Sequence, residues 1–229
     1  MRCKRAKIDS LNLSDSHIES IFIHNKEYII ETVKSRSIFN PERWVEEFGR
    51  PLTRNIIEAK IIHTHRGLCL PLKTFASTPL IQTVEFAGLY GYSERSEQMR
   101  ETFRELEGQL QSARVTRLDT AFDYRGEVPR CIVKALSKNR EPFRYGNSIY
   151  WKTSKEKKSN RVLNIITYDK SYQAGLDYPL HRLEFSFRSK YLGRVLLKDI
   201  ESIFPKMEKS IKRMIGLNSK IKLDIGLKE

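Results

Sequence analysis

The spacing of apolar residues changes along the chain between a helical repeat and a strand-like repeat. In residues 93–113, SERSEQMRETFRELEGQLQSA, the side chains of Met99, Phe103, Leu106 and Leu110 recur at intervals of four, three and four. This repeat places them on one face of an α-helix, so we predict an amphipathic helix in this segment.

The first part of the chain is also predicted to be helical. In NKEYIIETVKSRSIF, the side chains of Ile29, Ile30 and Val33 would share one face of a helix. Asn40, which is followed by a proline, is typical of the N-cap of a further helix. We therefore expect residues 1–60 to form a helical N-terminal part, whose role the sequence does not identify.

Several short segments alternate apolar and polar residues or form short apolar runs, as strands do. The predicted strands are RNIIEAKIIHTHRGLCLPL (two strands), TVEFAGLYGY, VTRLDTAFDY, SIYWKT, RVLNIITYDK and HRLEFSFR. Short helices are predicted in VPRCIVKALSK, KYLGRVLLKDIESIF and KMEKSIKRMIG. This order of elements predicts an α+β fold, in which a mostly antiparallel sheet has helices packed on one face and an open, polar second face.

Alternation within the predicted strands indicates which side chains lie on the open face. Leu118 and Phe122 fall on one side of their strand, and the intervening charged residues fall on the other. Because an ionised carboxylate resists burial, we expect the charged side to remain accessible. In RVLNIITYDK either face could meet the core, and we assign Tyr168 and Lys170 to the open face because Tyr and Lys tolerate water better than Leu163 and Ile165. The predicted open face carries Arg117, Asp119, Asp123, Tyr168, Lys170, Arg182, Glu184 and Arg188.

The carboxylates of the open face have two interpretations. They could form salt bridges with Arg117 and Arg182, or they could bind a divalent cation. Asp119 and Asp123 are about 13 Å apart along an extended strand, which is too far for one ion. A cross-strand neighbour is only about 5 Å away, so Asp119 with Glu184 is the preferred pair and Asp123 is a further candidate ligand. Oxygen ligands favour Mg²⁺ or Mn²⁺.

The charge of the chain indicates a polyanionic partner. The 229 residues include 42 Lys and Arg against 28 Asp and Glu, a formal net charge of +14, and nucleic acid is the partner that this excess favours first. Tyr150 and Trp151 are candidates for stacking on unpaired bases, although core packing explains them equally well. The candidate DNA contacts are Arg117, Lys152, Lys155, Lys157, Lys158, Arg161, Arg182 and Arg188.

Cysteine usage and hydropathy indicate where the protein works. The three cysteines lie far apart, without the spacing of a disulfide framework or a thiolate zinc site, and this usage fits a reducing cytoplasm. No run approaches the roughly 20 apolar residues of a membrane span, so we expect no membrane partner.

Three motifs follow one another along the chain: TRLDTAFDYRG, then SIYWKTSKEKKSNRVLNIITYDKSYQ, then HRLEFSFRSKYLG. Over about residues 85–200 the chain resembles the rolling-circle replication initiators of filamentous phages and the trans-acting plasmid Rep proteins. The resemblance implies a Rep-like or HUH-like fold and one endonuclease domain over residues 1–229, working in the cytoplasm of a bacterial or archaeal host. It also implies that Tyr168 attacks one strand at a plasmid or phage origin and forms a 5′-phosphotyrosine, with Lys170 offsetting charge and a Mg²⁺ or Mn²⁺ ion assisting.

Two further features enter through this resemblance. His63 and His65 in IIHTHRG resemble the His-hydrophobe-His motif of the HUH endonucleases, with Thr64 as a departure, and would join Asp119 or Glu184 around one ion. Tyr172 is an alternative to Tyr168 as the nucleophile, or a second nucleophile beside it.

Two other functions remain open: a metal-dependent nuclease that uses water, and a non-catalytic origin-binding protein. No GxxxxGK[ST] motif is present, so an initiator of this kind would recruit a host helicase, and a homodimer is compatible with the family.

Overall fold

The computed structural model describes residues 4–152, 163–216 and 221–224. The strands are β1 (Lys4–Asp15), β2 (Tyr28–Lys34), β3 (Ile56–Thr64), β4 (Cys69–Phe75), β5 (Thr78–Ala87), β6 (Arg114–Arg125), β7 (Glu141–Tyr145), β8 (Ser148–Lys152), β9 (Leu163–Asp169), β10 (Leu180–Arg188) and β11 (Ile221–Asp224). The helices are α1 (Ile18–Ile23), α2 (Pro41–Phe48), α3 (Glu94–Glu107), α4 (Arg130–Ser137), α5 (Lys170–Ala174), α6 (Ser189–Leu192) and α7 (Phe204–Ile215). A 3₁₀ helix spans Leu197–Ile203.

The described strands form one 11-stranded sheet in the order β2-β3-β4-β5-β1-β6-β10-β9-β8-β7, and β11 pairs with the start of β1. All pairs are antiparallel except β1 with β11, which is parallel. The α+β class and the mostly antiparallel sheet predicted from the sequence are therefore confirmed.

One face of the sheet is apolar and carries most of the helices. Leu118 on β6 and Phe185 on β10 are fully buried in this core. The predicted amphipathic helix is α3, whose Phe103 packs edge-on against Phe86 of β5 at a ring-centroid distance of 5.0 Å. Burial of its apolar stripe explains why this polar segment forms a stable helix.

One helix packs on the opposite face of the sheet. Trp44 of α2 is buried against Ala59 and Ile61 of β3 in a separate apolar cluster near the β2 edge. The helix begins as predicted, because the side chain of Asn40 accepts a hydrogen bond from the backbone N–H of Arg43 at 3.2 Å. The rest of this second face is polar and carries the site described below.

The prediction of a helical N-terminal part is wrong apart from α2 and the short α1. Residues 28–34 form β2, with Val33 buried near α2 and Ile29 70% exposed. The β-branched residues that suggested one face of a helix pack well on a pleated surface, and sheet pairing decided between the two states. Residues 4–15 form β1, a central strand whose alternation the sequence analysis did not use.

The C-terminal region also differs from the prediction of one helix broken at Pro205. The chain leaves α6 at Gly193, which has φ 74° and ψ −135°, a conformation available to glycine. Pro205 lies in the first turn of α7, where the missing N–H of proline removes no helical hydrogen bond. Among the described helices, none is long and apolar enough to cross a membrane.

Candidate functional site

Tyr168 of β9 lies on the polar face of the sheet, next to two charged residues of β10. It faces Arg182 across the β9–β10 pair, and its Oη donates a hydrogen bond of 3.2 Å to Oε2 of Glu184. Burial and the charge of Glu184 raise the pKa of the half-buried Tyr168 phenol above its ordinary value. The phenol is therefore neutral at rest and already hydrogen-bonded to a group that can accept its proton.

Arg182 is the centre of a buried ion network. Its Nη1 donates to Oδ1 of Asp9 at 2.6 Å, and its Nε and Nη2 donate to the two oxygens of Asp123 at 2.7 and 2.8 Å. The residue is 0% exposed, so the prediction that Arg182 contacts DNA is wrong. Both oxygens of Asp123 are occupied by this bidentate pair, which also makes Asp123 unsuitable as a metal ligand.

The segment after β5 covers this network. Gly88, with φ 79°, turns the chain at the end of β5, earlier than the sequence predicted. The ring centroid of Tyr90 then lies 4.7 Å from Cζ of Arg182, a cation–π contact. Tyr92 Oη donates to Oδ2 of Asp123 at 2.7 Å. These two tyrosines explain why the charged face is buried here rather than open.

Asp119 of β6 is also buried, at 1% exposure. Its Oδ1 accepts hydrogen bonds from Ser186 Oγ at 2.5 Å and from Arg117 Nε at 3.0 Å. Its Oδ2 lies 2.5 Å from Arg117 Nη2 but accepts no well-aligned hydrogen bond. Oδ2 of Asp119 is thus held in an ion pair with Arg117, and a further cation could bind it only if the guanidinium moved away.

The β6–β10 register corrects the predicted pairing of the two acids. The strands are neighbours, but Asp119 faces Ser186 and Glu184 faces Ala121. Asp119 and Glu184 are therefore diagonal neighbours with Cβ atoms about 7 Å apart rather than directly opposite each other. This spacing still allows two carboxylates to approach one cation from different sides.

Asp9 of β1 is a site residue that the sequence analysis missed. The β1–β6 register shifts between Ile8, which faces Thr120, and Ser10, which faces Asp119, so Asp9 is the extra residue of a β-bulge. Asp9 follows the buried Ile8, so its carboxylate lies on the polar face, where it meets Arg182. A signal was present in the sequence: in KIDSLNL the alternation of apolar residues slips by one position between Ile8 and Leu11.

The acids of the site influence one another electrostatically. Burial, together with the negative charges of Asp119 and Asp9, raises the pKa of Glu184 to about 7. Burial also raises the pKa of Asp9, against the opposing effect of Arg182. Carboxylate oxygens are of the type that binds Mg²⁺ or Mn²⁺, and a divalent cation would relieve this repulsion if it displaced Arg117 from Asp119.

His63 and His65 lie far from these acids, so the prediction that they share an ion with Asp119 or Glu184 is wrong. Four strand spacings separate β3 from β6, a distance of about 19 Å. His63 Nε2 is 2.9 Å from Glu31, and its Nδ1 is 3.3 Å from Cys69 Sγ.

His65 belongs to a separate exposed group with Glu27 and Glu105. Within the parts of the chain that the structure describes, only this group brings three ligand atoms within 4.8 Å of one another. A cation held by Asp119 and Glu184 would have only two protein ligands there and would need oxygens from substrate or water to complete its shell.

The remaining predicted site residues lie around Tyr168. Lys170 begins α5, with Nζ 6.0 Å from the Tyr168 ring centroid, and burial together with Arg182 lowers its pKa. Tyr172 is 79% exposed and lines a cleft with Val133 of α4, and Tyr168 lines the same cleft.

The predicted DNA contacts divide into accessible and inaccessible residues. Arg188 is exposed and Arg117 is partly exposed, and both line a groove beside β1. Lys152 is exposed at the end of β8, whereas Trp151 is 5% exposed and belongs to the core. The predicted contacts Lys155, Lys157, Lys158 and Arg161 lie outside the described residues.

No protein-family model matches the sequence, and no curated protein matches it. Among solved structures, the chain is similar to "Structure of Rolling Circle Replication Initiator Protein from Geobacillus stearothermophilus", with a TM-score of 0.50 and 14% sequence identity. The likeness covers 92% of this chain and 85% of that chain. At this identity the comparison concerns the fold: the protein has a Rep-like α+β fold over almost its whole length.

Proposed function

We propose that the protein is a rolling-circle replication initiator that nicks and rejoins one DNA strand through Tyr168. The observation that carries the proposal is the hydrogen bond from the Tyr168 phenol to the buried Glu184, beside Asp119 and Arg182 on one polar surface. The structural neighbour is a rolling circle replication initiator protein, and this likeness and the order of the three sequence motifs support the same function.

The proposed reaction exchanges one phosphodiester bond for another. Tyr168 Oη forms a bond to phosphorus as the bond to the 3′ oxygen breaks, leaving a 5′-phosphotyrosine and a free 3′ hydroxyl. Glu184 is placed to accept the phenol proton, because its Oε2 already accepts the hydrogen bond of the Tyr168 hydroxyl at 3.2 Å. The guanidinium of Arg182, held by Asp9 and Asp123, provides positive charge next to the phenolate as it forms. The 3′ oxygen leaves with a proton taken from the site or from solvent.

Rejoining is the reverse of cleavage. A 3′ hydroxyl attacks the phosphotyrosine, the P–O bond to Tyr168 breaks, and the phenolate recovers its proton. Asp119 and Glu184 would hold Mg²⁺ or Mn²⁺, which polarises the scissile phosphate when bound. Lys170, near the Tyr168 ring, is placed to offset charge on the phosphate or the phenolate.

A denaturing gel distinguishes this function from the two alternatives. The protein is incubated with Mn²⁺ and a pool of end-labelled single-stranded oligonucleotides of random sequence, and covalent complexes are recovered by SDS precipitation. We expect an adduct that is lost in Tyr168→Phe and retained in Tyr172→Phe. Cut ends without any adduct would indicate a hydrolytic nuclease, and a mobility shift without cutting would indicate a non-catalytic DNA-binding protein.

A further inference from the structure

A strip of aromatic side chains continues the surface of Tyr168 towards the free edge of the sheet. Ser148 of β8 faces Tyr168 on one side and Tyr145 of β7 on the other. In the adjacent row, Tyr150 faces Ile166 of β9 and Phe143 of β7. Residues that face one another across neighbouring strands share a face of the sheet, so these aromatics lie on the same side as the Tyr168 phenol.

The aromatic strip, defined as Phe143, Tyr145 and Tyr150, is accessible to a ligand. Phe143 is 49% exposed and Tyr145 is 72% exposed, and Tyr150 is half-buried between β7 and β9. Trp151 of β8 points to the other side of the β7–β8 hairpin, where it is 5% exposed and belongs to the core. Grouped exposed aromatics next to a candidate catalytic group indicate a binding surface rather than scattered apolar residues.

Charge on the same face indicates what this surface binds. Lys152 follows Tyr150 by two residues in β8, so it shares the face, and its Nζ lies 4.2 Å from the Phe143 ring centroid. This contact holds a positive charge beside the aromatic surface of a protein with formal net charge +14. A ligand with flat apolar rings and negative charges between them matches both features.

We propose that the aromatic strip binds unpaired bases of the DNA strand that Tyr168 cuts, an inference that rests on the proposed function. Two strand spacings separate β9 from β7, about 10 Å, so the strip lies within a few nucleotides of the bond that Tyr168 would cut. Every base has a flat face that can stack on an aromatic ring, so the strip recognises unpaired DNA without reading its sequence. In a duplex these faces are already stacked on neighbouring bases, and the strip therefore selects single-stranded substrate next to the cleavage point.

The test measures binding in a Tyr168→Phe background, so that no covalent complex forms. Fluorescence anisotropy is recorded with a labelled single-stranded 20-mer and with a duplex of the same length. We expect Tyr145→Ala and Phe143→Ala each to weaken single-strand binding by about 5- to 150-fold, the effect of losing one base–aromatic stack, and to leave duplex binding nearly unchanged. Tyr145→Trp retains a stacking surface and should preserve affinity.

Phe39 provides a matched control. Phe39 is 69% exposed, and its ring centroid lies 5.7 Å from Lys34 Nζ, so it resembles Phe143 with its neighbouring Lys152. Phe39 is next to β2, at the end of the sheet opposite β7. Phe39→Ala should therefore leave single-strand binding unchanged. An equal loss of affinity in Phe39→Ala and Phe143→Ala would overturn the proposal, because the loss would not depend on the strip.

The outcome for the strip is separable from the outcome for the nicking reaction. If unmodified protein forms no covalent adduct but strip variants still lose single-strand affinity, the strip is supported and the nicking function is not. If an adduct forms and Tyr145→Ala binds single strands as tightly as the parent, the strip proposal fails alone. Conversion of a dimer to a monomer by Tyr145→Ala, with DNA affinity unchanged, would identify the strip as a contact with a second copy and would also refute it.

Discussion

Arg182 and Arg188 lie on one strand and are expected to have different roles: the buried Arg182 stabilises the fold, and the exposed Arg188 is available to contact DNA. They lie on the same face of β10, and the sequence pattern treats them alike, but Arg182 is 0% exposed and Arg188 is exposed. Arg182→Met leaves the carboxylates of Asp9 and Asp123 buried without their cation. Breaking a buried ion pair in this way costs about 3–5 kcal/mol. For a chain of this length the melting temperature should fall by about 6–20 °C.

Arg188→Met is the control: we expect it to change DNA binding and to leave the stability of the fold nearly unchanged. It should change the free energy of unfolding by less than about 0.5 kcal/mol. If Arg188 contacts a phosphate, the slope of log affinity against log salt concentration should decrease by about one for this variant. Urea denaturation followed by circular dichroism measures the first quantity, and fluorescence anisotropy at several salt concentrations measures the second.

A third variant tests the cause of the destabilisation. In Arg182→Met with Asp123→Asn, the buried negative charge that lost its partner is removed as well, so the double variant should be less destabilised than the two single effects added together. An Arg182→Met protein within 1 kcal/mol of the parent, or strictly additive effects in the double variant, would contradict the ion network described above.

Three further predictions follow from other parts of the structure. Burial acts to raise the pKa of Glu85, but the charges of Lys73 and Arg50 outweigh it and lower this pKa from 4.5 to about 2. The ion pair therefore stabilises the fold by roughly 3 kcal/mol above pH 4.5, and this contribution is lost as the pH falls towards 2. Glu85→Gln should be destabilised by a similar amount at pH 7 and should unfold in urea at nearly the parent concentration close to pH 2. Asn40→Ala, which removes the N-cap of α2, should cost about 0.5–2 kcal/mol in the same assay. Millimolar Mn²⁺ should raise the melting temperature of the parent protein, and Asp119→Asn should abolish the increase if Asp119 is a ligand.

The alternation of apolar and polar residues along β6 was sufficient to predict the polar face of the sheet. The interval of two that places Arg117, Asp119 and Asp123 on one side of β6 is a property of any extended strand, and it does not depend on the rest of the fold. Alternation alone did not decide which face of β9 meets the core; Tyr168 was assigned to the polar face because a tyrosine tolerates water better than aliphatic residues do, and its hydrogen bond to Glu184 agrees with that position. The roles proposed for these residues stay predictions until the reaction is measured.

Burial on that face could not be predicted, because it depends on segments that are distant in sequence. Tyr90 and Tyr92 cover Arg182 and Asp123 only after the chain turns at the end of β5. Asp9 joins the site through a bulge in a strand that was predicted to be helical. A shift by one position in the apolar–polar pattern is a weak sign of a bulge when the segment is not recognised as a strand. The register of β1 is determined by the strands with which it pairs.

The pairing of β1 has a consequence for protein synthesis. Asp9 and Arg182 are 173 residues apart, and β1 also pairs with β11 near the other end of the chain. At a translation rate of about 5–20 residues per second, the ribosome needs about 9–35 s after making the first of these residues to make the second. A nascent chain therefore has no assembled ion network until most of it has been synthesised, and a prematurely terminated fragment lacks the arginine that would stabilise the phenolate.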